Sequence, residues 1–350
     1  MSGIARVTLK DIADRLNVSR TTVSLALKDS HRISEAQRKK IQTAAKEMGY
    51  APDPFLSGLV AYRRKNTLLH YQGTLAWIRH WHVPESLLKS EYYRELWRGA
   101  CQTAKNYGYV IEEFCWDKSF SAKRYEQILL ARGIHGILIP PHRHVPNWDN
   151  FDWSKFSVIR FGMSVPLPDT NLVTPDGFRA VAMAIHRIHQ YGYKRIGFIV
   201  GEFDRMLGGN FCGGFLSAQS YLQLTPAIPP LVTSADSYCL NPNRENQVLK
   251  RWLKQHKPDA ILTTEGQLTE QLRQIDYRVP KDVAVASVSV HDTEIDTGID
   301  QHVETVGRIG VEMLVKQINV NERGEPSDPC RILVESHWQD GKSLPSRRRV

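Results

Sequence analysis

The segment Ser19-Arg20-Thr21, continued by Ser24 and Leu25, places short hydroxyls and a guanidinium within six residues of one another. Side chains of this kind, at the leading end of a short helix, suit hydrogen bonding to base edges in a DNA major groove. Charge supports a polyanionic partner. Residues 1–72 hold 13 Lys/Arg against six Asp/Glu, a net +7 that leaves only +2 of the chain's +9 for everything else. A basic head on a nearly neutral body is the electrostatic footprint of nucleic-acid binding. Other chemistry is poorly served. No phosphate-binding loop, zinc-ligand spacing, nucleophile elbow or paired carboxylates can be read from the 350 residues, so no enzyme, cofactor or metal is expected. The cysteines Cys101, Cys115, Cys212, Cys239 and Cys330 are odd in number and scattered, which argues against a disulfide framework.

Caps define the elements that must present these side chains. Thr8-Leu9-Lys10-Asp11 reads as a capping box, after which Leu9, Ile12, Ala13 and Leu16 form one apolar stripe that ends at Asn17. Ser19 can cap a second helix, Arg20 to Leu27, whose Val23, Ala26 and Leu27 face inward. Ser34-Glu35-Ala36-Gln37 opens a third helix that buries Ile41, Ala44, Ala45 and Met48 and stops at Gly49. The expectation for 1–52 is an all-α helix-turn-helix head. Within 53–72, Asp53-Pro54 can start a short hinge helix, Phe55 to Tyr62, followed by the basic run Arg63-Arg64-Lys65.

From Gly73 onward, β-type runs alternate with helical patterns, which predicts parallel sheets flanked by helices. Strands are expected at Gly73–Ile78, Val110–Cys115, Gly136–Ile139 and Val158–Phe161, with helices at Tyr92–Tyr107 and Lys123–Arg132. They make a first α/β lobe over about 73–168. A second lobe, about 169–295, is expected from helices Gly177–Tyr191, Phe211–Gln223 and Arg244–Gln255 and strands Arg195–Val200, Leu231–Thr233, Ala260–Thr264 and Val283–Val288. Helix Val303–Asn319 and strand Arg331–Glu335 are expected to return to the first lobe or to the connection between lobes. No apolar run is long enough to span a bilayer and no secretory signal is visible, so a cytoplasmic location is expected.

The head resembles that of the lactose-repressor/galactose-repressor family of bacterial regulators at Val7-Thr8, Val18 to Ser24, Ile33-Ser34 and Gly49 to Pro52. The stretches DGFRAVAMAIHRIHQYGYKRIGFIVG, YRVPKDVAVASVSV and ILVESHWQDGKSL are similar to the same family's core, of type I periplasmic-binding-protein fold. The resemblance implies a homodimer on a pseudo-palindromic double-stranded DNA operator, controlled by a small metabolite, carbohydrate-related by family precedent, held between two lobes. It places Arg20 and Thr21 at the main base-reading positions, and Thr8, Ser19, Ser24, Ser34 and Tyr50 on phosphates or neighbouring edges. Leu25 stands where relatives carry a base-reading arginine, which implies a different operator preference. Leu59 matches the leucine that wedges into the minor groove.

For the effector, the resemblance implies Tyr92, Tyr93 and Arg205 as lining residues. Phe211, Ser289 and Glu265-Gly266 replace the family's arginine, its cleft aspartate and its Asn-Asp pair, so three polar anchors change. Arg79, His80, Trp81, His82, His142, Phe161, Phe203 and His291 form an alternative lining rich in aromatics and histidines. Two other readings remain. An effector-independent regulator would keep the core for dimerisation, and a solute-binding protein would share the core but lack the head.

Overall fold

The computed structural model describes residues 7–27, 33–50, 71–80, 90–116, 120–142, 147–148, 150–205, 207–233 and 242–348. The expected hinge helix, with Leu59, lies outside the described residues, as do Trp81 and His82.

Three helices form the head: α1 Leu9–Leu16, α2 Arg20–Leu27 and α3 Glu35–Glu47. Their ends are fixed by the residues that cap them. The Thr8 amide donates to the Asp11 carboxylate at 2.7 Å, and the Thr8 hydroxyl accepts from the Asp11 amide at 3.4 Å. That backbone donor, the largest influence, and the Thr8 hydroxyl hold the Asp11 carboxyl below its ordinary value. Asn17 closes α1 in the left-handed region, at φ 52° and ψ 51°, a conformation Asn tolerates. Ile12, Ala13, Val23, Ala26, Ile41 and Ala45 make the buried core, with Leu9, Leu16, Leu27, Met48 and Tyr50 packed around it. Gln42 Nε2 donates to the Ala26 carbonyl at 3.0 Å, which ties α3 to the last turn of α2.

Among the described residues from 71 onward, the strands form two six-stranded sheets. The first contains β1 Gly73–His80, β2 Tyr109–Trp116, β3 Gly136–Ile139, β4 Ser157–Phe161, β5 Leu172–Pro175 and β11 Arg331–Val334, in the order β11-β5-β4-β3-β1-β2 and parallel throughout. The second contains β6 Ile196–Gly201, β7 Leu231–Thr233, β8 Ala260–Thr263, β9 Ala284–Ser287, β10 Gly298–Asp300 and β12 His337–Gln339, ordered β12-β10-β9-β8-β6-β7, with only the β10–β12 pair antiparallel. Both faces of each sheet are covered, as sheets built mainly of parallel strands require. On β1, Leu75 and Trp77 enter one core cluster while Ala76 and Ile78 enter the other, which is the period-two alternation of a strand.

The covering helices of the first lobe are α4 Glu91–Asn106, α5 Ala122–Ala131 and α10 Val303–Val320. Helices α6 Gly177–Gln190, α7 Asn210–Tyr221, α8 Pro242–His256 and α9 Leu268–Gln274 belong to the second. Helices α4 and α10 approach to backbone contact, because Gly99 and Gly307 lie at the crossing. A Cβ on Gly307 would overlap the Leu96 carbonyl oxygen and stand 2.9 Å from the Ala100 amide nitrogen.

The chain passes between the lobes at Pro175–Gly177, Asp300–Val303 and Val334–His337. The lobe boundaries therefore differ from the expected 168/169 and 295. Strand β5 extends the first lobe to Pro175, and β10 and β12 extend the second. These strands of three or four residues carry too few alternations for a period to be legible.

Candidate DNA-reading head and interlobe cleft

Helix α2 presents its N-terminal end to solvent. Ser19, Arg20 and Thr21 are exposed, Ser24 and Leu25 are half-exposed, and Val23 and Ala26 are fully buried against α1 and α3. The Ser19 hydroxyl accepts from the Thr22 amide at 3.0 Å, so it caps the helix. Arg20 and Thr21 are thus left on a rigid, outward-facing turn whose free amides and positive dipole end favour a phosphate backbone nearby. Thr8 and Ser34 are also exposed, each at the start of its own helix. Tyr50 packs partly on the head core. Geometry therefore gathers Arg20, Thr21, Ser24 and Leu25 on one helix and leaves Thr8 and Ser34 at flanking helix ends.

In the core, every parallel strand delivers its C-terminal end to the same edge of its sheet, the usual ligand edge of open α/β folds. Contacts between lobes gather at these edges. Asn210 Nδ2 lies 2.9 Å from Met163 Sδ, and His291 Nε2 lies 3.4 Å from Glu95 Oε2. Around this cleft the expected lining residues have diverse fates. Tyr92 is half-buried on the first turn of α4, and burial pushes its phenol up to about 12. Tyr93 is buried; its hydroxyl accepts from Trp77 Nε1 at 2.6 Å, and burial raises its pKa. Glu265 is half-buried, and its amide donates to Thr263 Oγ1 at 2.9 Å. Ser289 is half-buried, with its carbonyl accepting from Ser287 Oγ at 2.5 Å.

One expectation is overturned. Phe161 has no exposed surface and packs on Trp77, their ring centroids 5.5 Å apart, while a Cβ on Gly310 would overlap its ring. It is a core residue behind the cleft. Phe211 packs on Gly177 and donates its amide to Asp204 Oδ1 at 3.0 Å, so it joins α7 to α6. Arg205 is 78% exposed and pairs only loosely, at 3.3 Å, with Glu202. His142 is 2% exposed, with its amide on Ser164 Oγ at 3.0 Å. Arg79 Nε lies 2.5 Å from Glu113 Oε1 at the end of β1.

Sequence reasoning passed over Asp292, whose carboxylate bonds to the start of α4 across the cleft. Two hundred residues separate the partners, and no local pattern announces the contact.

The three-helix head and the two-lobed core together define a helix-turn-helix protein with a periplasmic-binding-protein-like body. Residues 8–53 match the family described as bacterial regulatory proteins, lacI family, and residues 185–344 match the periplasmic binding protein-like domain. The head is thus similar to the lacI family of bacterial regulatory proteins, and the body to the periplasmic-binding-protein-like domain.

Among its relatives, the HTH-type transcriptional repressor CytR of Escherichia coli (strain K12) is 28% identical over 217 residues, 60% of this chain and 58% of that protein. The match thus spans less than two thirds of CytR. The HTH-type transcriptional regulator CelR of Thermobifida fusca is 25% identical over 346 residues, covering 95% of this chain and 96% of the relative. Among solved structures, a CelR–cellobiose complex superposes with a TM-score of 0.60 at 21% identity, covering 97% of this chain and 100% of the other. A lac repressor dimer bound to operator and the anti-inducer ONPF gives 0.56 at 16% identity, covering 97% and 99%. At these identities the superpositions establish the fold.

Proposed function

We propose that the chain is a homodimeric, cytoplasmic transcriptional repressor that reads a pseudo-palindromic operator through α2 and responds to a small carbohydrate-related metabolite between its lobes. The observation that carries this reading is the exposed Ser19-Arg20-Thr21 turn on a helix whose opposite face is locked into the head core. Arg20 and Thr21 read base edges. Thr8, Ser19, Ser24 and Ser34 meet phosphates or neighbouring edges, and Leu25 meets a thymine methyl. Tyr50 and Leu59 keep the family's roles at the operator. The metabolite lies against Tyr92, Glu265 and Ser289, with Tyr93 behind them. The relatives support the ligand class, since the solved structures include CelR with cellobiose and an Enterococcus faecium regulator with bound ribose.

Phe211, Gly266 and Ser289, standing where the family has polar anchors, favour a second reading in which the cleft takes no effector. A thermal-shift screen of the full chain against sugars, sugar acids and nucleosides separates the two. A ligand at 100 times its Kd stabilises by about 2.7 kcal/mol. One hit that also moves the operator titration supports the effector-controlled repressor, whereas silence across the panel supports the second reading.

A further inference from the structure

The four leading amides of a helix have no partners inside it. At the start of α4, the Tyr93 amide donates to Ser90 Oγ at 3.1 Å, and the helical ladder begins with the Arg94 amide on the Ser90 carbonyl at 3.0 Å. The Glu91 and Tyr92 amides reach across the cleft. Glu91 N–H donates to Asp292 Oδ1 at 2.6 Å, and Tyr92 N–H donates to Asp292 Oδ2 at 3.2 Å. One carboxylate oxygen for each amide lays the group across the positive end of the helix dipole.

The loop that delivers Asp292 is held in the second lobe. Thr293 Oγ1 donates to the Gly266 carbonyl at 2.9 Å and accepts from the Ile295 amide at 3.1 Å. Asp292 itself sits at φ 59°, in the left-handed region that Asp enters more readily than most residues. A Cβ on Gly266 would stand 3.0 Å from the Asp292 carbonyl oxygen, so a side chain at 266 would press this loop away. One turn along α4, Glu95 faces His291 of the same loop.

We infer that Asp292 is a cross-cleft strap: a positioning residue that caps α4 from the opposite lobe and makes the closed cleft the resting state without a ligand. Asp292 is exposed at the cleft rim, so water competes with the strap and the bias is modest. Loss of a helix cap changes the closed-to-open ratio by about fivefold. The inference rests on the proposed reading only where it extends to DNA, because lobe closure would then set operator affinity.

The test compares the full-length wild type with Asp292→Ala and Asp292→Asn, without added ligand. Amide hydrogen exchange over 90–95 and small-angle scattering give two readouts independent of DNA, and an operator titration gives the third. Asparagine keeps one acceptor oxygen but replaces the other with an NH2 donor, so it can accept from only one of the two amides. The strap therefore predicts faster exchange at Glu91 and Tyr92 and a larger radius of gyration in Asp292→Ala, with Asp292→Asn falling between Asp292→Ala and the wild type. Unchanged exchange in Asp292→Ala overturns the inference, and faster exchange without expansion reduces the contact to a local cap and overturns it equally. Expansion with unchanged operator affinity leaves the strap standing and refutes the coupling of cleft to operator.

Discussion

Replacing Gly307 by alanine should lower stability, although alanine is the better helix former by about 1 kcal/mol. The new Cβ would overlap the Leu96 carbonyl oxygen and lie 2.9 Å from the Ala100 amide nitrogen, and both are backbone atoms of α4 that no rotamer change can move. An ordinary carbon–oxygen contact is about 3.3 Å or more, so α4 and α10 must part by roughly 1 Å. A gap of that size forfeits a quarter to a half of each contact's dispersion energy along the crossing. Overpacking of this kind costs about 1 to 3 kcal/mol or more. Net of the propensity gain, Gly307→Ala should lose about 1 kcal/mol, a fall of roughly 2–4 °C in Tm for a unit of this size. Gly213 supplies the control, since it also lies inside a helix but its Cβ would meet only the Phe178 side chain at 3.4 Å. Gly213→Ala should be neutral or stabilising by up to about 1 kcal/mol. Calorimetric scans of both variants decide the matter. A Gly307→Ala protein as stable as the wild type would refute the backbone-contact reading of the α4–α10 crossing.

Two further outcomes follow from the caps and the buried carboxylates. Thr8→Ala removes the hydroxyl that accepts from the Asp11 amide and should lower the melting temperature of the head by several degrees, read by circular dichroism of the isolated DNA-binding transition. Glu126, with a side chain 1% exposed, binds Lys155 at 2.5 Å, Lys123 at 2.9 Å and the Asp152 amide at 3.2 Å. Desolvation raises its pKa, but these bonds outweigh it and hold the carboxyl below its ordinary 4.5. A depressed folded pKa gives stability that is complete above about 4.5 and is lost as pH falls through the folded value. Glu126→Gln should therefore cost roughly 1–3 kcal/mol at neutral pH, and the difference from wild type should shrink below pH 4.5 in urea titrations. A difference independent of pH would contradict the ion-pair assignment.

The head was legible because its information is local. Thr8, Asn17 and Ser34 mark helix ends by side-chain chemistry, and the stripe Ile12-Ala13 has a helical period. The long elements of the core were legible for the same reason. Strands β5, β10 and β12 were not, since Leu172–Pro175, Gly298–Asp300 and His337–Gln339 are held by neighbours far away in sequence. The cleft suffers most from this limit. Phe161 looked like a lining residue by position, yet tight packing on Gly310 puts it in the core. Asp292 and α4 reveal their relation only when the lobes face each other.

The central claim, that α2 reads an operator as a dimer, is tested most directly by selecting binding sites from a random double-stranded DNA library with wild-type protein and with Arg20→Ala. Wild type should enrich an inverted repeat of two half-sites. Arg20→Ala should lose about 1–3 kcal/mol and relax the same base pair in each half-site. Enrichment of no inverted repeat, or an Arg20→Ala protein with the wild-type motif and affinity, would contradict the claim.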